Sequence, residues 1–128
     1  MTIQDQILAA ITMWRENRGG GMPGMQSVGN VIQNRATKSG QDVYTVCTKH
    51  AQFSSISMSN PEAYLWPIAA DPQWQKALTL AQQMAAGTLQ DITEGSTSYY
   101  AASMSPSPPS WAASMTPTVE IAGQKFFR

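Results

Sequence analysis

The 128-residue chain has one cysteine, one histidine, and only eight basic and eight acidic residues. A single thiol, Cys47, excludes an internal disulfide framework, and one Cys with one His is too few for a zinc site. With one Cys and one His, a nucleophilic pair of Cys47 with His50 is formally possible, but nothing marks the third, orienting group such a pair needs. Cys47, between Val46 and Thr48, is expected to pack as a small hydrophobe. No basic run or stripe is present, so the electrostatic footprint of a nucleic-acid binder is missing. No apolar run approaches the ~18 residues of a membrane span. The N-terminus has no basic n-region, and Asp5 interrupts any early hydrophobic run, so no secretory signal is expected. Synthesis in the cytoplasm follows as an expectation, with no stable membrane insertion.

What the chain does have is amides and hydroxyls in abundance, set among four Trp and four Tyr. That mixture suits a neutral, hydroxyl-rich ligand such as a carbohydrate, although many ordinary surfaces share it. No cofactor or metal is called for. The length fits one domain over residues 1–128.

Three helices and a terminal sheet are legible. Residues 3–18 form the first helix, with Thr2 as N-cap and Gly19 to Gly21 as its stop. Ile7 to Trp14 is apolar on nearly every face, the mark of a helix buried all round. A second helix starts near Pro23, carries Met25, Val28, Ile32 and Arg35 on one stripe, and closes at Ser39-Gly40. Gly29 on it would admit another backbone. Val43 to Cys47 is either a strand or a short helix, and Tyr64, Leu65 and Trp66 are core or cleft aromatics. Asp71 and Pro72 start the clearest helix, whose stripe is Trp74, Ala77, Leu78, Ala81, Met84 and Ala85 and whose stop is Gly87. After residue 90, Ser96–Tyr100, Thr118–Ile121 and Lys125–Arg128 are β-prone and predict a small antiparallel sheet. The Ser/Pro-rich loop from Met104 to Pro117 centres on Trp111, either its anchor or a platform for sugar. The fold class is therefore α+β, mainly helical, with a small antiparallel sheet near the C-terminus.

Glu16 is the residue this layout makes conspicuous. It follows the apolar helix within one turn, on the face of Ala9 and Met13. At a glycine corner between two helices a carboxyl group is short of water, the setting a general acid requires.

Five blocks, in order, resemble the cell wall hydrolase family typified by spore-cortex-lytic enzymes, which includes phage lysins. Trp14-Arg15-Glu16-Asn17-Arg18-Gly19 is similar to its opening Glu-x-Arg-Gly motif, and Val28 to Arg35 to its Val-Ile-x-Asn-Arg signature. Gln52-Phe53-Ser54 reproduces a Gln-Phe-Ser block, and Asp91 to Tyr100 resembles Asp-x-Thr-x-Gly-Ala-Thr-x-Tyr-Tyr. Trp111 and Ile121 to Phe127 resemble its closing Trp and Ile-Gly-x-His-x-Phe pattern. There are two departures: Gly20 stands where the family has a second acidic residue, and the closing His is replaced near Gln124-Lys125.

The resemblance implies a lysozyme-like domain that cleaves the β-1,4 bond between N-acetylmuramic acid and N-acetylglucosamine in peptidoglycan, with Glu16 catalytic. Glycoside cleavage ordinarily uses two carboxyl groups. The economical reading gives Glu16 both roles, acid and then base, as in lytic transglycosylases, where the muramoyl 6-hydroxyl closes a 1,6-anhydro ring. Gln52, Ser54, Thr97, Tyr99, Tyr100 and Trp111 are the candidate substrate contacts, the tyrosines being equally well sheet core with one polar tip. The rivals are a muramidase using water, with Asp91 or Glu94 as second carboxylate, and a non-catalytic peptidoglycan-binding protein. The partners expected are peptidoglycan glycan strands and, for a phage-type endolysin acting as a monomer, a holin for release.

Overall fold

Thr2 and Asp5 start the first helix together. The Thr2 hydroxyl accepts from the Asp5 amide (3.0 Å) while the Asp5 carboxylate accepts from the Thr2 amide (2.8 Å), a reciprocal capping box. The computed structural model describes residues 1–49, 53 and 65–128. His50, Gln52, Ser54 and Tyr64, which the sequence brought forward, lie outside those residues, as does the acidic Glu62. Four helices are described: α1 (Ile3–Asn17), α2 (Gly21–Ser39), α3 (Val43–Thr48) and α4 (Pro72–Ala86). Among the described residues no helix is long and apolar enough to cross a membrane.

α1 is the hub, with α2, α3 and α4 all packed on it. Its burial is graded rather than uniform: Ile3 and Ile7 are 79% and 46% exposed, whereas Ala9, Ala10 and Met13 are sealed. The expectation of burial all round holds only from Ala9 onward, because the three packed helices leave the outer side of the first turns uncovered. Asp5 is not the ordinary polar residue its context suggests. It is buried, and its second carboxylate oxygen accepts from the Tyr44 amide (2.8 Å), tying α3 to α1.

The ambiguous 43–47 segment is helical. Asp42 caps it through the Thr45 amide (2.7 Å), and Val43, Val46 and Cys47, at i, i+3 and i+4, turn one face into the core. Burial pushes the Cys47 thiol up to about 12, against a weaker opposing hydrogen bond with Thr12. No thiolate is available at neutral pH, so Cys47 packs as a hydrophobe.

α2 begins two residues before Pro23 and ends at Gly40 as expected. Gly29 makes room for a side chain, not a backbone: a Cβ there would lie 2.8 Å from the Met13 sulfur. α4 has the predicted Asp71 cap, Pro72 in its first turn and Gly87 stop. Its inner face is Ala77, Leu80, Ala81 and Met84, so the stripe is rotated slightly from expectation, with Leu80 in and Ala85 out. Leu65 and Trp66 are exposed, not core. Arg15 holds them, its Nε donating to the Leu65 carbonyl (3.0 Å) and its guanidinium 4.7 Å from the Trp66 ring centroid.

The C-terminal third forms a three-stranded antiparallel sheet in the order β1 (Ser98–Ala101), β3 (Gln124–Phe127), β2 (Pro117–Ile121). Tyr99 pairs with Phe126 and Tyr100 with Lys125. Alternation then sends Tyr99, Phe126 and Gln124 to one face, and Tyr100 and Phe127 to the other.

Candidate active site

The site is built at the corner where α1 ends at Asn17 and a 3-10 turn, Arg18–Gly20, leads into α2. The Asn17 side chain fills the inside of this corner. A Cβ at Gly20 would fall 2.8 Å from Asn17 Oδ1 and 2.8 Å from the Ala122 Cβ, so no side chain fits there without displacing them. The departure at Gly20 is thus steric as well as chemical. Space that an acidic residue would need is occupied by Asn17 and by the β2–β3 turn. Asn17 Nδ2 also donates to Gln124 Oε1 (3.3 Å), so Gln124, near the second departure, fastens the sheet to the corner.

Glu16, half-buried one residue earlier, faces β1. The Tyr99 hydroxyl donates to Glu16 Oε1 at 2.7 Å. The Tyr99 ring packs on Phe126, centroids 5.3 Å apart. Burial, reinforced by the adjacent Glu16 charge and the hydrogen bond to it, holds the Tyr99 phenol well above its ordinary value. Tyr99 is therefore a permanent donor to Glu16. Arg35 is the nearby cation: burial disfavours its charge, and Tyr99 and Glu16 partly restore it.

The strand reaches Glu16 because α2 grips the chain just before it. Gln26, Asn30 and Asn34 recur every four residues, a polar row on one side of the helix. Gln26 Nε2 and Asn30 Nδ2 each donate to the Gln90 carbonyl (2.9 Å), while Asn30 Oδ1 accepts from the Ile92 amide (3.0 Å). Asn34 Nδ2 donates to Asp91 Oδ2 (3.0 Å) and to the Ser96 carbonyl (2.9 Å), and Arg35 Nε to the Thr97 carbonyl (2.6 Å). Arg35 also lies over the buried Phe53 ring, 4.8 Å from its centroid. Asp91 organises the loop from within, accepting from the amides of Thr93 (2.8 Å) and Gly95 (3.0 Å) and from the Thr93 hydroxyl (2.7 Å).

Of the residues singled out by sequence, the structure brings together Glu16 and Tyr99, with Thr97 two residues before Tyr99 and on its face of the strand. Tyr100 and Trp111 are on the other face. Tyr100 stacks on Phe127 (5.3 Å), and Trp111 meets both rings edge-on, 6.0 Å from Tyr100 and 5.4 Å from Phe127. These contacts pack Trp111, at the centre of the Ser/Pro-rich loop, against the sheet. Asn17, Asn30, Asn34 and Arg35 were missed as site-building residues. The four-residue spacing of amides along α2 marks two of them, Asn30 and Asn34, as a row, though not what the row binds. Among the described residues no group of His, Cys, Asp and Glu is arranged to hold a metal ion.

A mainly helical frame, with a helix-end carboxylate facing a small antiparallel sheet, defines a lysozyme-like domain. Residues 19–128 match the family model described as Cell Wall Hydrolase, and the chain belongs to that family. The matched span opens three residues after Glu16, so Glu16 itself lies outside it. The fold resembles the catalytic domain of the germination-specific lytic transglycosylase SleB from Bacillus anthracis, with TM-score 0.76 and 20% identity over 100% of this chain and 97% of that one. It resembles the Bacillus cereus SleB catalytic domain similarly, with TM-score 0.74 and 20% identity over 100% and 92% of the two chains. No curated protein matches in sequence.

Proposed function

We propose that this chain cleaves the MurNAc-GlcNAc β-1,4 bond of peptidoglycan as a lytic transglycosylase, with Glu16 as its one catalytic carboxyl group. The observation that carries the reading is the Glu16–Tyr99 pair, a helix-end carboxylate held at 2.7 Å by a buried phenol in a fold shared with lytic transglycosylase domains. Glu16 donates its proton to the glycosidic oxygen as the C1–O bond breaks. The resulting carboxylate then removes the proton of the muramoyl 6-hydroxyl, whose oxygen attacks C1 and closes the 1,6-anhydro ring. Tyr99 holds the carboxyl group in one rotamer through both steps, and the Arg35 charge lies nearby.

The disposition of the other described acids supports a single-carboxylate mechanism. Asp5, Asp42 and Asp71 are spent on capping α1, α3 and α4. Asp71 also accepts from the Trp14 indole (3.1 Å). Asp91 is saturated by its loop and Asn34. Glu94 and Glu120 are exposed, Glu94 on a turn with φ 55° and Glu120 on β2. A hydrolase that inverts needs a base ~6.5–9.5 Å from the acid to activate water, and no described aspartate is free for that.

Mass spectrometry of the fragments from purified cell wall tests the reading. Glycan ends of 1,6-anhydro-muramic acid, lighter by one water than reducing ends, are expected. Reducing ends throughout, carrying heavy oxygen from labelled water, would make water the nucleophile, with Asp91 and Glu94 the first residues to mutate.

A further inference from the structure

Beside the Glu16–Tyr99 pair lies a cavity of about 510 Å³ that the glycan mechanism does not use. It opens at the C-terminal end of α2 and is lined by Arg35, Lys38, Lys49, Val46, Thr97 and Met115, among others. Among the described residues three cations line it, and no acidic side chain does. This asymmetry is notable in a chain whose formal net charge is zero. Arg35 is anchored to the Thr97 carbonyl at the inner wall, while Lys38 and Lys49 are exposed at the mouth. Val46 is buried beneath and Met115 half-buried, giving the cavity an apolar side. Thr97 belongs to both places: it lines the cavity and lies two residues, about 7 Å of strand, from Tyr99.

We infer that this cavity binds the stem peptide that muramic acid carries, taking its carboxylates on Lys38 and Lys49 and its methyl groups against Val46 and Met115. The inference rests on the peptidoglycan reading above and adds to it the part of the substrate that is not sugar. Glycan bound across Glu16 carries its lactyl-linked peptides sideways from the sugar backbone. A pocket one short strand step from Tyr99, the phenol that holds the acid, is where such a branch can be received. A short peptide with several carboxylates matches a concave site with two exposed ammonium groups and an apolar wall. An extended polyphosphate would instead call for a continuous basic strip, longer than the three cations described in this cavity. Carboxylate recognition by point charges at the rim also makes binding sensitive to salt.

The test uses the whole protein and the double variant Lys38→Gln/Lys49→Gln, both positions being exposed and outside the catalytic machinery. Calorimetry with the free stem tetrapeptide of L-Ala, D-Glu, meso-diaminopimelate and D-Ala reads the cavity without any cleavage. Binding should weaken at least tenfold in the variant and return in Lys38→Arg/Lys49→Arg. On peptide-bearing glycan the variant should raise KM with kcat unchanged. On glycan stripped of peptides by an amidase, variant and wild type should be alike. Absence of tetrapeptide binding to the wild type would overturn the assignment, as would an equal KM effect on both glycans. So would competition by a glycerol-phosphate polymer but not by the tetrapeptide. Failure of the protein to cleave either glycan would instead strike the proposed function, and tetrapeptide binding would still decide the cavity.

Discussion

The pair Glu16 and Tyr99 separates chemistry from support, and two substitutions tell them apart. Glu16→Gln keeps the volume and removes the transferable proton. Activity should fall by roughly 10²–10⁴-fold, the usual contribution of a general acid, with the denaturation midpoint nearly unchanged. Release of fragments from cell wall within tenfold of wild type would exclude Glu16 as the acid. Tyr99→Phe keeps the ring on Phe126 and removes the hydroxyl that donates to Glu16. Hydrogen bonds to charged groups are worth about 1.5–3 kcal/mol. A loss of roughly tenfold or more in kcat is therefore expected, with KM little changed and the circular dichroism spectrum retained. A rise in KM at constant kcat would place Tyr99 against substrate rather than behind the acid.

Between elements, the contact that matters most for function is the grip of α2 on the 90–97 segment, and Asp91 is its centre. Burial alone would raise its carboxyl, but the hydrogen bonds from Thr93, Asn34 and Gly95 outweigh it and hold the group below the ordinary carboxylate value. A depressed folded value means the contribution to stability is present in full above the unfolded value of about 3.9 and is lost as pH falls through the folded one. Asp91→Asn should thus lower the urea midpoint near pH 7, and the gap from wild type should close below about pH 4. A gap constant across that range would assign the effect to something other than the charge. This clasp also shows why some of the architecture was legible in sequence and some was not. Caps, glycine stops and a period of about 3.6 residues are local signals, and α1, α2 and α4 follow from them. The three strands were likewise legible from β-prone runs. The phase of α4 was not, because Trp74 and Ala85 fit the period as well as Leu80 does, and only the packing partner decides among them. Nor was the role of Asn30 or Asn34: a polar residue on a helix reads as solvent-facing until the segment 60 residues away that it binds is known. Gly20 was noticed as a missing acid, yet the reason no side chain fits there lies with Ala122, a hundred residues on.

Across the whole molecule, the acid stands in the helical layer while its phenol stands in the sheet, so the site exists only while the two are joined. The layers are unequally built. α1 and α2 contribute two sealed stretches, residues 9–15 and, but for Gln26, residues 24–32. In the sheet only Phe126 and Phe127 are buried as whole residues, and every residue of β1, Tyr99 with its buried phenol included, keeps part of its surface exposed. Local opening follows buried apolar contact, so the sheet should open at lower free energy than the helices. What holds it is polar: the α2 amides on the 90–97 segment, Asn17 on Gln124, and the Tyr99 hydroxyl on Glu16. Native-state hydrogen exchange in rising urea should therefore show β1 and β3 amides exchanging before those of α1. Asn34→Ala, which removes two bonds of the clasp and touches neither Glu16 nor Tyr99, should widen that difference. Its activity should be lost at a urea concentration where the helical circular dichroism signal is still intact. A single transition, with sheet and helix amides exchanging together in both proteins, would mean that the seam is as strong as the core. The Glu16–Tyr99 bond would then be a consequence of global folding rather than of the clasp.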